Sequence, residues 1–187
     1  MSAITISIPV WLLIFCAVVV LIYSLLKIFL QIKGTEIVVP HYEKKTPWVV
    51  ESKDDKSIVL TTTFDFANEG KSSAMLIDVI ARTQLPYEQF DGIEARGRVD
   101  TIKYPREDDY FASMIIEHQE SLTVKVWITL TARHNFLIDE SLAHMVDLPI
   151  DFLYETAGRN PCSYSKFQLV LTSEEIAKLA GVTLLKD

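Results

Sequence analysis

The apolar positions of this chain fall into two regimes, one continuous and one alternating. From Val10 to Leu26, "VWLLIFCAVVVLIYSLL", they run on broken only by Ser24, and "IFLQI" extends the run beyond Lys27. No charged side chain precedes Lys27. A helix from Pro9 to Ile32 would reach roughly 35 Å, enough to cross a hydrocarbon core of about 30 Å with some tilt. Pro9 suits the first helical turn, where its missing N–H costs nothing. Trp11 and Tyr23 are placed as interfacial aromatics, and Lys27 and Lys33 as cations that can reach the headgroups. A cleaved signal peptide would open with positive charge and end at a small-x-small site, and this stretch does neither. "LIFC" (13–16) makes no lipoprotein site, because the apolar run continues past Cys16. Residues 1–33 are therefore expected to be a retained transmembrane anchor.

Beyond Gly34 the pattern changes. "GTEIVVPHYEKK" with Thr46 and Pro47 reads as a juxtamembrane linker over 34–47, with a domain over 48–187. Within that domain period-two alternation dominates. "SIVLTTTFDF" (57–66) places Ile58, Leu60, Phe64 and Phe66 on one face. "AMLIDVIART" (74–83) places Met75, Ile77, Val79 and Ala81 on one face. "SLTVKVWITLTAR" (121–133) alternates Leu122, Val124, Val126, Ile128 and Leu130 with Thr123, Lys125, Trp127, Thr129 and Thr131. "YFASMIIEH" (110–118), "LPIDFLYE" (148–155) and "KFQLVLT" (166–172) are further strands. Two short helices interrupt them. Ile138, Leu142, Met145 and Val146 have helical spacing. Thr172 and Glu175 fit a capping box before Ile176, Leu179 and Ala180, and Gly181 closes the helix. Short strands with frequent turn signals predict an antiparallel β-sandwich rather than a helix-alternating parallel sheet.

The tip of the first hairpin, "FANEGKSS" (66–73), ends like a phosphate-binding loop. A true phosphate loop needs Gly five positions before Gly70, where this chain has Asp65, and a helix after the Ser, where this chain has a strand. Gly70-Lys71-Ser72 is therefore a hairpin tip, and no nucleotide is expected. The same stretch, F-x-N-x-G followed by an alternating strand that carries Asp78, resembles the hairpins of immunoglobulin-like and fibronectin-like sandwiches. Such sandwiches serve as accessory modules in membrane and cell-surface proteins. The resemblance covers residues 58 to 83 and implies an immunoglobulin-like architecture.

Charge sharpens this picture. All 25 acidic residues follow residue 33, against 16 of the 18 Lys and Arg, a balance of −9 from residue 34 onward. An acidic body is a poor match for a phosphate backbone, so no nucleic acid is expected. The cations that flank the apolar run, Lys27, Lys33, Lys44 and Lys45, all lie on its C-terminal side. By the positive-inside rule the domain faces the cytoplasm. The two cysteines, Cys16 and Cys162, form no disulfide framework, and none of the three Asn begins a glycosylation acceptor.

Candidate chemistry is sparse. His134 and His144, with Asp139 and Glu140 between them, lack a tight metal-ligand spacing. Glu117, His118 and Glu120 sit at a strand end and turn. No serine has a nucleophile-elbow context, and the doublets Asp54-Asp55 and Asp108-Asp109 lack the spaced ligands and Gly of a calcium loop. No catalytic residue, cofactor or metal ligand is expected. The basic knot "ARGRVD" (95–100), through Arg96 and Arg98, could grip an acidic partner or headgroups. The apolar end "GVTLLKD" (181–187) offers Val182, Leu184 and Leu185, which pack intramolecularly or dock to another protein.

These features predict a single N-terminal transmembrane helix plus a mainly-β domain, an immunoglobulin-like antiparallel β-sandwich with one or two short helices. The implied role is a single-pass accessory or scaffolding subunit that binds an integral membrane protein complex, with the lipid bilayer as its other partner. One rival is an exported envelope sensor or adhesion module. The other is a metal-dependent enzyme with a site assembled from loops around His118, His134, His144 and Asp139.

Overall fold

The computed structural model describes residues 9–86, 90–106, 108 and 110–185. The chain divides into two units, 1–34 and 35–187.

In the first unit, α1 (Val10–Lys33) is one 24-residue helix, about 36 Å long at 1.5 Å per residue. All 24 of its residues are exposed, and its most apolar 18-residue stretch has a mean hydropathy of 2.7, so it is long and apolar enough to cross a membrane. Pro9 precedes it in an extended conformation (ψ 134°). Ser24, the polar residue in the run, returns its hydroxyl to the Val20 carbonyl (2.8 Å). Gly34 ends the helix at φ +64°, donating its N–H to Leu30 O.

The second unit is a β-sandwich of two antiparallel sheets. The first sheet contains β1 (Val38–Pro40), β2 (Val49–Lys53), β3 (Ser57–Asn68), β5 (Ile93–Thr101) and β7 (Ser121–Ala132). β3 and β7 pair along their length, β5 lies beyond β7, and β1 and β2 share the other edge of β3. The second sheet runs β6-β4-β8-β9, from β4 (Ala74–Thr83), β6 (Met114–Ile116), β8 (Leu148–Ala157) and β9 (Ser163–Leu171). The alternation in β3 and β7 sends Ile58, Leu60, Phe64, Phe66, Val124, Val126, Ile128 and Leu130 into the core. There they meet Leu76, Val79, Ile150, Phe152 and Tyr154 of the second sheet. α2 (Ile138–Leu142) and α3 (Ser173–Ala180) close one end with Ile138, Leu142 and Ile176. Thr172 caps α3 by accepting the Glu175 N–H, and Gly181 ends it at φ +72°.

Three features depart from the pattern-based expectation. Residues 35–47, expected as a linker, belong to the sandwich: Val38–Pro40 pairs with Phe66–Asn68, and a 3-10 turn at Tyr42–Lys44 follows. β4 does not keep one apolar face. At Asp78 (φ +46°) the strand bulges, so Asp78 and Val79 both stand opposite Tyr154. Ala74 and Leu76 face inward before the bulge, Val79 and Ala81 after it, and Met75 is turned out. The strand expected over 110–118 is ordered as one only at Met114–Ile116.

Candidate functional site

The hairpin tip that mimics a phosphate loop is built around Asn68, which is buried. Its Oδ1 accepts the N–H groups of Gly70 (3.0 Å) and Ile37 (3.3 Å), and its Nδ2 donates to Ser72 O (2.8 Å) and Ile116 O (2.9 Å). All four valences of the amide are used. Gly70 lies so close to the 35–37 segment that a Cβ would stand 2.4 Å from Thr35 O. The loop's N–H groups therefore serve the chain's own backbone: Glu69 N–H goes to Ile37 O and Lys71 N–H to Thr35 O.

Beside it, the Glu36 carboxylate is 8% exposed. It accepts the N–H groups of Asn160 (2.8 Å) and Arg159 (3.0 Å) and the Ser72 hydroxyl (3.4 Å). Burial pushes its pKa up, but the backbone and hydroxyl donors outweigh that and hold it below the ordinary value. This carboxylate ties the entering chain to the β8–β9 loop.

The sequence-derived candidates are dispersed. Trp11 and Tyr23 are exposed on α1, where Lys27 Nζ sits 5.7 Å from the Tyr23 ring and Lys33 Nζ 5.8 Å from Phe29, each one helical turn away. Arg96 Nε lies 2.6 Å from Glu94 Oε1, and this bond, with the charge of Arg96, holds the Glu94 carboxyl below its usual range. Arg98 lies 3.5 Å from Asp100, donates to Arg106 O and covers the Trp127 ring at 5.1 Å, with Lys125 at 4.8 Å from the same ring. Arg106 in turn pairs with Asp108, whose pKa falls to about 2. The basic knot is thus matched by its own neighbours. Val182 packs on the core, Leu184 is half-buried, and Leu185 is exposed with its N–H on Ala143 O (2.8 Å). The structure does not bring these three onto one face with Arg96 and Arg98.

The titratable candidates are equally scattered. His134 pairs with Asp91 (3.1 Å), Asp139 with Lys53 (2.6 Å), and His118 lies in the β6–β7 turn. His144 lines a cleft of about 340 Å³ with Phe90, Gly92, Phe136, Glu140 and Ser141. Among the described residues no three His, Cys, Asp or Glu side chains converge as metal ligands would. Asp109 lies outside the described residues.

What pattern reading missed is the contrast between the two outer faces. The outer face of the first sheet carries Thr63, Asp65, Thr123, Lys125, Trp127, Thr129, Arg96 and Arg98, as a solvated antiparallel sheet should. The outer face of the second sheet carries Ile115 (63% exposed), Met75 (39%), Ile80 (55%) and Leu153 (37%). Register makes them neighbours: Ile115 pairs with Met75, and Ile80 pairs with Leu153. Ile77 stands between, opposite Glu155. The signal was present in the doubly apolar "AMLIDVI", but only the bulge reveals which half faces out.

No protein-family model matches the chain, and no curated protein matches it. Among solved structures, it is similar to the GAE domain of GGA2p from Saccharomyces cerevisiae, at 11% identity over 73% of this chain and 94% of that one, with a TM-score of 0.34. A second similarity is to the yeast GGA1 GAE domain, at 10% identity over 68% of this chain and 98% of that one, TM-score 0.28. Superpositions this loose carry no argument about this chain; the sandwich rests on its own sheet pairing.

Proposed function

We propose that this protein is a single-pass accessory or scaffolding subunit whose α1 anchors it in a membrane and whose sandwich binds an integral membrane protein complex. The observation that carries the binding half is the outward-facing Met75, Ile80, Ile115 and Leu153 on one sheet. Apolar side chains grouped on an otherwise complete sandwich mark a surface that another protein covers. The anchoring half is supported by the length and uniform exposure of α1. Confinement beside a partner raises the effective concentration of the sandwich, so a modest docking surface suffices for recruitment. The membrane is the cytoplasmic one, with the sandwich on the cytoplasmic side, as Lys27, Lys33, Lys44 and Lys45 favour.

Two treatments of native cells test the reading. Alkaline washing of membranes should retain the full chain and release a chain that begins at residue 34. A membrane-impermeant maleimide should reach the exposed Cys162 only after lysis. Release of the full chain by alkali contradicts anchoring, and labelling of intact cells contradicts the assigned side.

A further inference from the structure

Resting on that reading, we infer that the partner protein supplies one extended segment, which adds as a further strand along the free edge of β9. Among the described residues, every other open edge carries a device that prevents such pairing. β1 and β6 have three residues each, and β1 ends in Pro40. β2 has five, with a break in register between Val50 and Ser52. β4 beyond β6 is bulged at Asp78 and is then covered by β5, where Gly97 presses on Ala81 and the Thr83 hydroxyl donates to Ala95 O (2.7 Å). β9 has none of these. Its nine residues, about 30 Å at roughly 3.3 Å each, pair with β8 without a break and contain no Pro. Alternate residues of such an edge aim both N–H and C=O away from the sheet. From Tyr164 to Val170, among the described residues, no backbone group makes a hydrogen bond outside the β8 ladder. Lys166, the residue type that commonly blunts an edge, is drawn onto its own sheet by Asp151 (2.6 Å). Phe167 and Leu169 pack on the core yet are only half-buried, so the core is open along this side.

A row of unmet backbone donors and acceptors at strand spacing is complemented by another extended backbone, which neither a helix nor a lipid surface offers. The rings beneath the edge restrict that strand further. Phe152 of β8, Phe167 of β9 and Tyr42 form one stack with centroid steps of 4.8 Å and 4.8 Å, the spacing of neighbouring strands. Tyr42 therefore fills the place where an inward side chain of the added strand would lie, and the residue opposite Phe167 must be small. This disfavours a second copy of the chain. Two β9 edges overlap fully only when paired about Phe167, which sets Phe167 opposite its own copy in the place Tyr42 holds. Pairing about Gln168 puts Leu169 there, and pairing about Lys166 opposes two like charges. The −9 balance from residue 34 onward adds repulsion between copies.

The test compares amide hydrogen exchange, resolved by residue, in the complex extracted from native membranes and in the full chain alone in the same mild detergent. The expected result is that alternate amides between Tyr164 and Val170 exchange about tenfold or more slowly in the complex, while those of β5 do not change. A photocrosslinker, p-benzoylphenylalanine, at Gln168 in native cells should join an extended segment of another protein that carries Gly, Ala or Ser opposite Phe167. Tyr164→Pro and Ser165→Pro each remove one N–H, of which one points to β8 and the other outward. The variant that loses the outward N–H should keep its thermal unfolding midpoint and retain about tenfold less partner. Where neither variant folds, the exchange comparison on the unaltered chain decides. Unchanged β9 exchange in a complex with a stoichiometric partner overturns the inference and leaves the accessory-subunit reading intact. An adduct from Gln168 to a second copy, to lipid or to a helical segment overturns the inference as well. Absence of any stoichiometric partner removes both.

Discussion

Gly97 of β5 presses against Ala81 of β4 so closely that a Cβ on it would stand 2.4 Å from the Ala81 carbonyl oxygen and 2.9 Å from the Ala81 Cβ. The contact joins the edge strand of one sheet to an inner strand of the other, and the Thr83 hydroxyl spans the same seam to Ala95 O (2.7 Å). Neither obstacle is the end of a flexible side chain. Gly97→Ala should therefore force the seam apart and cost about 1–3 kcal/mol, the range for overpacking. Urea unfolding of the full chain in detergent reads this directly, and an unchanged midpoint contradicts the close approach.

Phe167 is stacked between Phe152 (4.8 Å, 4°) and Tyr42 (4.8 Å, 9°), although Tyr42 lies in the segment expected as a linker. A double-mutant cycle with Tyr42→Ala and Phe167→Ala should give a coupling of about 0.5–1.5 kcal/mol. Additive losses would mean that residues 35–47 do not fold with the domain.

Glu36 ties the entering chain to the β8–β9 loop through two backbone N–H groups, and Glu36→Ala leaves both unmet, at about 1–3 kcal/mol. Its pKa is lowered in the folded state, so its contribution is complete above the unfolded value near 4.5 and is lost as pH falls through the folded value. Between pH 6 and pH 3 the native chain should lose more thermal stability than Glu36→Gln. Parallel pH profiles would exclude the linkage.

Cys162 is exposed yet should react slowly with maleimides. The hydrogen bond to Glu155 is the main cause that raises its thiol pKa, with some loss of hydration and the Glu155 charge adding to it. Less thiolate forms at neutral pH. Labelling should accelerate as pH rises from 7 to 9, and Glu155→Gln should accelerate it several-fold at pH 7.5. Equal rates for the two proteins would show that the carboxylate does not hold the thiol.

Much of the fold was legible because period-two alternation over β3 and β7 and the continuous run of α1 each have one physical reading. The bounds of β4 were legible as well, but its facing was not. A positive φ at Asp78 shifts the phase of the strand, and no local composition announces which residue will bulge. Asn68, Glu36 and Tyr42 were passed over because their partners lie far along the chain, as in Glu36 with Asn160, and sequence spacing says nothing of such contacts. The basic knot attracted notice as a run of like charges. Its neutralisation by Glu94, Asp100 and the Trp127 ring depends on sheet register, which is a property of the fold.

The central claim is that this chain works bound to another membrane protein. Its most direct test is extraction of the natively expressed protein in mild detergent, followed by sizing and mass spectrometry of what travels with it. The expected result is a particle well above the 21.3 kDa chain, containing a different membrane polypeptide at near-equal stoichiometry. A chain that elutes alone, or only with copies of itself, contradicts the account.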